Sequence, residues 1–221
     1  MDHDELTRQS FDARVAAWSQ WGAVDGDVLT HLVNPVFTGG PAWPNIRQAY
    51  VVGRRPGELL LASDGLSDPY DEDEPDTNGL GHEFYATTTD PIDPIAASWL
   101  WDVVWQTSNN AARHGGLAEL IDDIGLLSME LYDVRIPDPY AGNFINADER
   151  VGVLLGLTDA QPPATVAGPL STIRLINIKL LTLDELAYAA EYGEAGRREL
   201  ARRFGAQGHM LASSLDRPSV V

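Results

Sequence analysis

The sequence predicts an α+β fold, a central mixed β-sheet flanked by helices. Three observations carry that expectation. Short runs rich in Val, Leu, Ile and Tyr recur between Gly- and Pro-containing turns. Apolar residues at helical spacing occupy stretches near the start, middle and end of the 221 residues. Residues 173–180 are nearly continuously apolar, as a central strand buried on both faces requires.

Taken in order, residues 4–21 predict an amphipathic helix, with Leu6, Phe11, Val15 and Trp18 near the helical period and Asp4 or Thr7 able to cap it. Residues 28–33, 48–52 and 58–62 read as strands. Gly39-Gly40-Pro41 separates the first two. Arg55-Pro56-Gly57 joins the second and third as a hairpin. After a loop over 64–78, residues 82–88 read as another strand. Asp93-Pro94 predicts the start of a helix running to His114 and stopped by Gly115-Gly116. A shorter helix follows at 117–124, then strands at 126–131, 150–155 and 173–180. Thr182-Leu183-Asp184-Glu185 is a capping box, in which the Thr oxygen accepts from the Glu amide and the Glu side chain reaches back. Gly193 ends that helix and another runs over 194–204. There is no repeat and no long linker, so one domain over 1–221 is expected.

Composition excludes several classes. The chain has no cysteine, so disulfides, thiolate catalysis and Cys-ligated metals are impossible. Net charge is -18 and the pI about 4.4, which repels nucleic acid and anionic membranes and attracts basic partners. The acidic N-terminus carries no apolar run of the signal-peptide kind, so a cytoplasmic location is expected. Lys179 is the only lysine against 14 arginines, a composition that reads as bacterial and GC-rich. No phosphate loop, nucleophile elbow or zinc-helix motif is found. The five histidines are far apart in sequence. No catalytic residue, metal ligand or cofactor site is therefore assigned. Glu74, Asp76, Asn78 and Gly79 fit early positions of a calcium loop, but position 12 is Tyr85 where a bidentate Glu is needed.

Charge is unevenly placed. Between Arg55 and Arg113 there are twelve Asp and Glu and no Lys or Arg. The run Asp71, Glu72, Asp73, Glu74 and Asp76, with Asp68 before it, is either a solvated loop or a docking patch for a basic protein. Trp99, Trp101 and Trp105 share one helix with Leu100, Val103 and Val104. That apolar surface is wider than one stripe, so the helix is buried on more than one side or shows an aromatic edge to a partner. Candidate partner contacts are Asp68, Asp71, Glu72, Asp73, Glu74, Asp76, Trp101 and Trp105.

Three segments in order resemble the suppressor-of-fused domain. They are Leu59-Leu60-Leu61-Ala62-Ser63-Asp64-Gly65-Leu66-Ser67-Asp68, the helix near Ser98-Trp99 after the strand at 83–86, and residues 173–200 with Leu180-Leu181-Thr182-Leu183-Asp184-Glu185-Leu186. The resemblance covers about residues 45–205, leaving 1–44 as an N-terminal helix and lead-in. It implies a mixed α/β domain without catalysis that holds another protein. In animals such domains clamp a transcription-factor peptide in Hedgehog signalling. Bacterial members are associated with polymorphic toxin systems, as immunity proteins. The expected partner is a basic protein, a cognate toxin, with the chain a monomer or weak dimer and bound to neither nucleic acid nor membrane. Two other readings stay open: a hydrolase using Asp, Glu and His, prompted by the abundance of carboxylates with His82 and Glu83 close to them, and a housekeeping scaffold.

Overall fold

The computed structural model describes residues 2–71 and 76–221. Helix α1 (His3–Trp21) buries Leu6, Ser10, Arg14, Ala17, Trp18 and Trp21, the i, i+4, i+3 spacing of one helix face. Leu6 and Trp18 lie on that face as expected, while Phe11 and Val15 flank it, half-buried. The cap position is Asp2 rather than Asp4 or Thr7, and its side chain makes no capping bond. Strands β1 (Ala23–Val24) and β2 (Leu29–Thr30) are two residues each. The longer strand expected at 28–33 is cut short because Asn34 starts a tight turn over Pro35–Thr38, its side chain accepting from the Val36 amide at 3.0 Å. Strands β3 (Ala49–Arg55) and β4 (Glu58–Asp64) form the expected hairpin, with Arg55 opposite Glu58 and Pro56-Gly57 turning the chain. Strand β5 (His82–Thr88) follows.

Helix α2 (Trp99–His114) starts later than the Asp93-Pro94 signal predicts. Pro94 is extended, at ψ 146°, and a 3-10 turn (Ile95–Ala97) intervenes. The cap is Ser98, whose Oγ accepts from the Trp101 amide at 3.3 Å. Next come α3 (Leu117–Ile124), β6 (Leu127–Tyr132), α4 (Asp138–Phe144), β7 (Arg150–Leu155), β8 (Thr165–Ala167) and β9 (Thr172–Leu180). Helix α5 (Leu183–Ala206) opens on the expected capping box, with the Thr182 amide donating to Glu185 Oε2 at 2.9 Å and Thr182 Oγ1 accepting from the Glu185 amide. It breaks at Gly193, whose φ of 56° and ψ of -132° suit only glycine. Strand β10 (Ala212–Ser213) is last.

The strands make one mixed ten-stranded sheet in the order β1-β3-β4-β5-β9-β7-β6, with β2 also on β3, β8 on β9 and β10 on β5. Alternation along each strand sends side chains to two cores. Val52, Leu61, Phe84, Ile176 and Val153 pack under α2 and α3. Val51, Leu60, Tyr85, Leu175 and Leu154 pack under α1 and α5. Strand β9 thus lies between β5 and β7 and is buried on both faces, as its apolar run predicts. No helix among the described residues is long and apolar enough to cross a membrane.

Candidate protein-binding surface

The acidic loop stands on a buried ionic base. Arg14, on the inward face of α1, donates from Nε to Asp64 Oδ1 at 2.8 Å, from Nη2 to Asp68 Oδ1 at 2.7 Å and from Nη1 to Ser67 Oγ at 3.1 Å. Its Nε lies 3.7 Å from Glu83 Oε1. Arg47 closes the other side of Asp64 and Asp68. Burial opposes a charged Arg14, but Asp64, Glu83 and Asp68 outweigh it and keep the guanidinium protonated. Burial pushes the Glu83 carboxyl above its usual range against the pull of Arg14. Glu83 accepts from Ser63 Oγ, from Ser67 Oγ and from the Gly65 and Ser67 amides, so the turn after β4 is wrapped around it. Gly65 is required there, at φ 142° with the Arg47 carbonyl 2.5 Å from where a Cβ would sit.

At the far side of the loop, Asn78 is buried. It donates to Ser10 Oγ and the Ser67 carbonyl and accepts from the Leu170 and Ser171 amides. All four bonding positions of its amide are thereby used. It is a structural clasp rather than the calcium ligand that its spacing resembles, and Tyr85 sits within β5. Among the described residues no group of His, Asp and Glu is placed to hold a metal ion.

The candidate contacts separate into three sets. Asp68 is fully buried in the ionic base. Asp71 and Asp76 are exposed at the two rims of the loop. Glu72, Asp73 and Glu74 lie outside the described residues. Trp101 is 8% exposed and Trp105 half-buried, so α2 is buried on more than one side. These rings belong to a ladder that starts beneath the acidic loop. Trp43 packs at Gly65, Trp43 meets Tyr50 at 5.9 Å between centroids, Tyr50 meets Trp101 at 4.6 Å, and His31 meets Trp101 at 5.6 Å and Trp105 at 6.3 Å.

The ladder supports a surface that the residue pattern does not single out. On the segment from His31 to Ile46, Leu32, Val33, Phe37 and Ile46 are 107%, 60%, 71% and 66% exposed. Asn34 ties the segment to itself by donating to the Ile46 carbonyl, and Arg47 continues it straight into the ionic base. Four large apolar side chains clustered on one loop are uncommon on a lone protein surface and mark contact with another molecule. Nothing in the sequence marks it: Leu32 and Val33 read as the end of a strand, and Phe37 and Ile46 stand on either side of Gly39-Gly40-Pro41.

His82 and Glu83, which stand close to the carboxylates that prompt the hydrolase reading, do not converge with each other. As neighbours on β5 their side chains leave opposite faces of the sheet, and both are buried. Near the other end of the sheet, Lys179 is buried, donates to the His209 and Ala212 carbonyls and lies 4.7 Å above the Phe204 ring. Burial holds its pKa well below the usual lysine range. Arg217 clamps Glu185 at 2.5 Å, tying the C-terminal segment to the capping box of α5.

No family model and no curated relative matches this chain. Solved structures do. A chain of the Sufu–Fu complex crystal structure aligns with a TM-score of 0.59 over 96% of this chain and 92% of that one, at 16% identity. Drosophila Suppressor of Fused aligns with a TM-score of 0.59 over 96% of this chain at 16% identity, and this chain spans half of its length. The fold is therefore suppressor-of-fused-like, as the three sequence segments imply.

Proposed function

We propose that this chain is a non-catalytic protein-binding module whose partner is a basic protein, and more narrowly an immunity protein that binds and blocks a basic toxin domain. The observation that carries the reading is the exposed set Leu32, Val33, Phe37 and Ile46, on a segment that His31 joins to the aromatic ladder and Arg47 joins to the ionic base of the loop bearing the exposed carboxylates Asp71 and Asp76. An apolar centre with a charged rim is the composition of a protein interface. The net charge of -18 selects a basic occupant by steering its approach and rejecting acidic competitors. Likeness to a chain solved in the Sufu–Fu complex supports protein binding. The toxin reading adds the resemblance to bacterial suppressor-of-fused domains. In this reading the chain acts in the cytoplasm as one domain, a monomer or weak dimer. Gln106 bonds both the amide and the carbonyl of Tyr132 on edge strand β6, which blunts that edge against pairing with a second copy.

Affinity capture from the source cell with the tagged protein, at low and at high salt, tests the proposal. One stoichiometric basic protein, retained at low salt and released at high salt, is the expected result. Capture of no protein, or of an acidic one indifferent to salt, overturns it.

A further inference from the structure

A cleft of about 320 Å³ lies between the segment after β5, the start of α2 and the C-terminal segment. That is the lower end of the volume range of clefts that hold a ligand group. Its walls are apolar, with Pro91, Ile92, Pro94 and Trp99 among the lining residues, and three carboxylates, Asp90, Asp93 and Asp216, line it as well. None of the three is ion-paired among the described residues. Asp90 is held in place by Ser214 Oγ at 2.6 Å and the Leu215 amide at 2.9 Å. Asp216 lies by the Tyr140 hydroxyl and raises its pKa. The one cation in the lining, Arg135, is already committed: it donates to both oxygens of Asp102, at 2.8 and 2.6 Å, and to the Ala96 carbonyl at 3.0 Å. The cleft therefore presents uncompensated negative charge around an apolar floor. Trp99, 2% exposed, contributes to the lining, and its indole N–H is buried without an acceptor among the described residues.

We infer that this cleft receives one arginine or lysine side chain of the partner, its aliphatic stem against Trp99 and the prolines and its charged head between Asp93 and Asp216. A long basic side chain is the occupant that matches both features, since it has an apolar stem and a cationic tip. A purely apolar side chain would bury carboxylates without a counter-charge, and an anion would be repelled. The inference rests on the basic-partner reading above and adds a second, separate contact point for it.

Titrating the isotope-labelled protein with Nα-acetyl-arginine amide, Nα-acetyl-lysine amide and the neutral isostere Nα-acetyl-citrulline amide tests it without any partner. Expected are saturable shifts of the Trp99 indole and Ser98 amide resonances with a basic probe. The citrulline probe, and the D93N/D216N variant titrated with the basic probe, should each bind about tenfold more weakly. No shift with either basic probe, or equal shifts with the citrulline probe, overturns the inference. A captured basic partner that binds the D93N/D216N variant undiminished removes the cleft and leaves the functional reading. Probe binding in the cleft with no partner captured does the reverse.

Discussion

Asp64 and Asp68 stand against Asp93 and Asp216 as the same residue put to opposite uses. The first two are fully buried and face two guanidiniums, so their charge is cancelled inside the fold. The second two line an open cleft and face none. Asp64, Asp68 and Asp93 fall in the acid-rich stretch between Arg55 and Arg113, Asp216 is a lone acid near the C-terminus, and all four contribute equally to the net charge of -18. Acidity in a sequence therefore says little about acidity at a surface until partners tens of residues away are placed. Here the buried set fixes where the loop and α1 sit, and the exposed set remains available to a partner.

The sharpest way to break the comparison is to remove the cation from the buried set. R14M leaves Asp64, Asp68 and Glu83 buried with Arg47 alone, and should cost about 3–5 kcal/mol in urea unfolding. A cost under about 1 kcal/mol would mean that water reaches the cluster and the contrast is unfounded. The next effect is on acid stability. His82 is buried, and that burial, with Arg174 nearby, lowers its pKa to about 4 despite Glu119. Its folded pKa lies below the unfolded value of about 6.5, so stability is complete above that value and falls as pH drops toward 4, by about 3 kcal/mol for this one group. Comparing wild type with H82F from pH 7 to 4 isolates that share, and the variant should lose less stability on acidification. Identical pH profiles for the two proteins would exclude His82 as a source of acid lability. The smallest effect is a matched pair. D68N should destabilise by about 1–3 kcal/mol because it disturbs buried bonds to both arginines. D216N at the cleft should stay within about 0.5 kcal/mol. Equal effects on thermal unfolding would erase the distinction between the two sets.

Much of the fold was legible because it is written locally. The β3–β4 hairpin follows from Pro56-Gly57, the start of α5 from its capping box, its break from Gly193, and the central place of β9 from an apolar run. The start of α2 was misplaced because Asp93-Pro94 and Ser98 both resemble caps, and only the extended Pro94 decides between them. Helix α4 was missed because Pro139 and Gly142 make its seven residues read as a loop. Strands β1, β8 and β10 are two or three residues long and exist only as additions to longer neighbours. The ionic base was not legible at all. Arg14 reads as a polar residue on a helix, and its partners lie 50 to 69 positions away. The exposed segment holding Phe37 escaped for a similar reason, since apolar residues in sequence give no sign that the core has left them outside. Of the expected contacts, Asp71 and Asp76 lie exposed at the loop rims, Trp105 is half-buried, and Asp68 and Trp101 are taken up by the interior.

The central claim, that exposed carboxylates and an exposed apolar segment together capture a basic protein, is tested most directly by association kinetics with the captured partner across ionic strength. Wild type should show an association rate that falls steeply as salt rises. D71N/D76N should start slower and fall less, and F37S should leave the association rate nearly unchanged while speeding dissociation. A rate indifferent to salt in wild type, with neither D71N/D76N nor F37S altering the kinetics, would contradict the account.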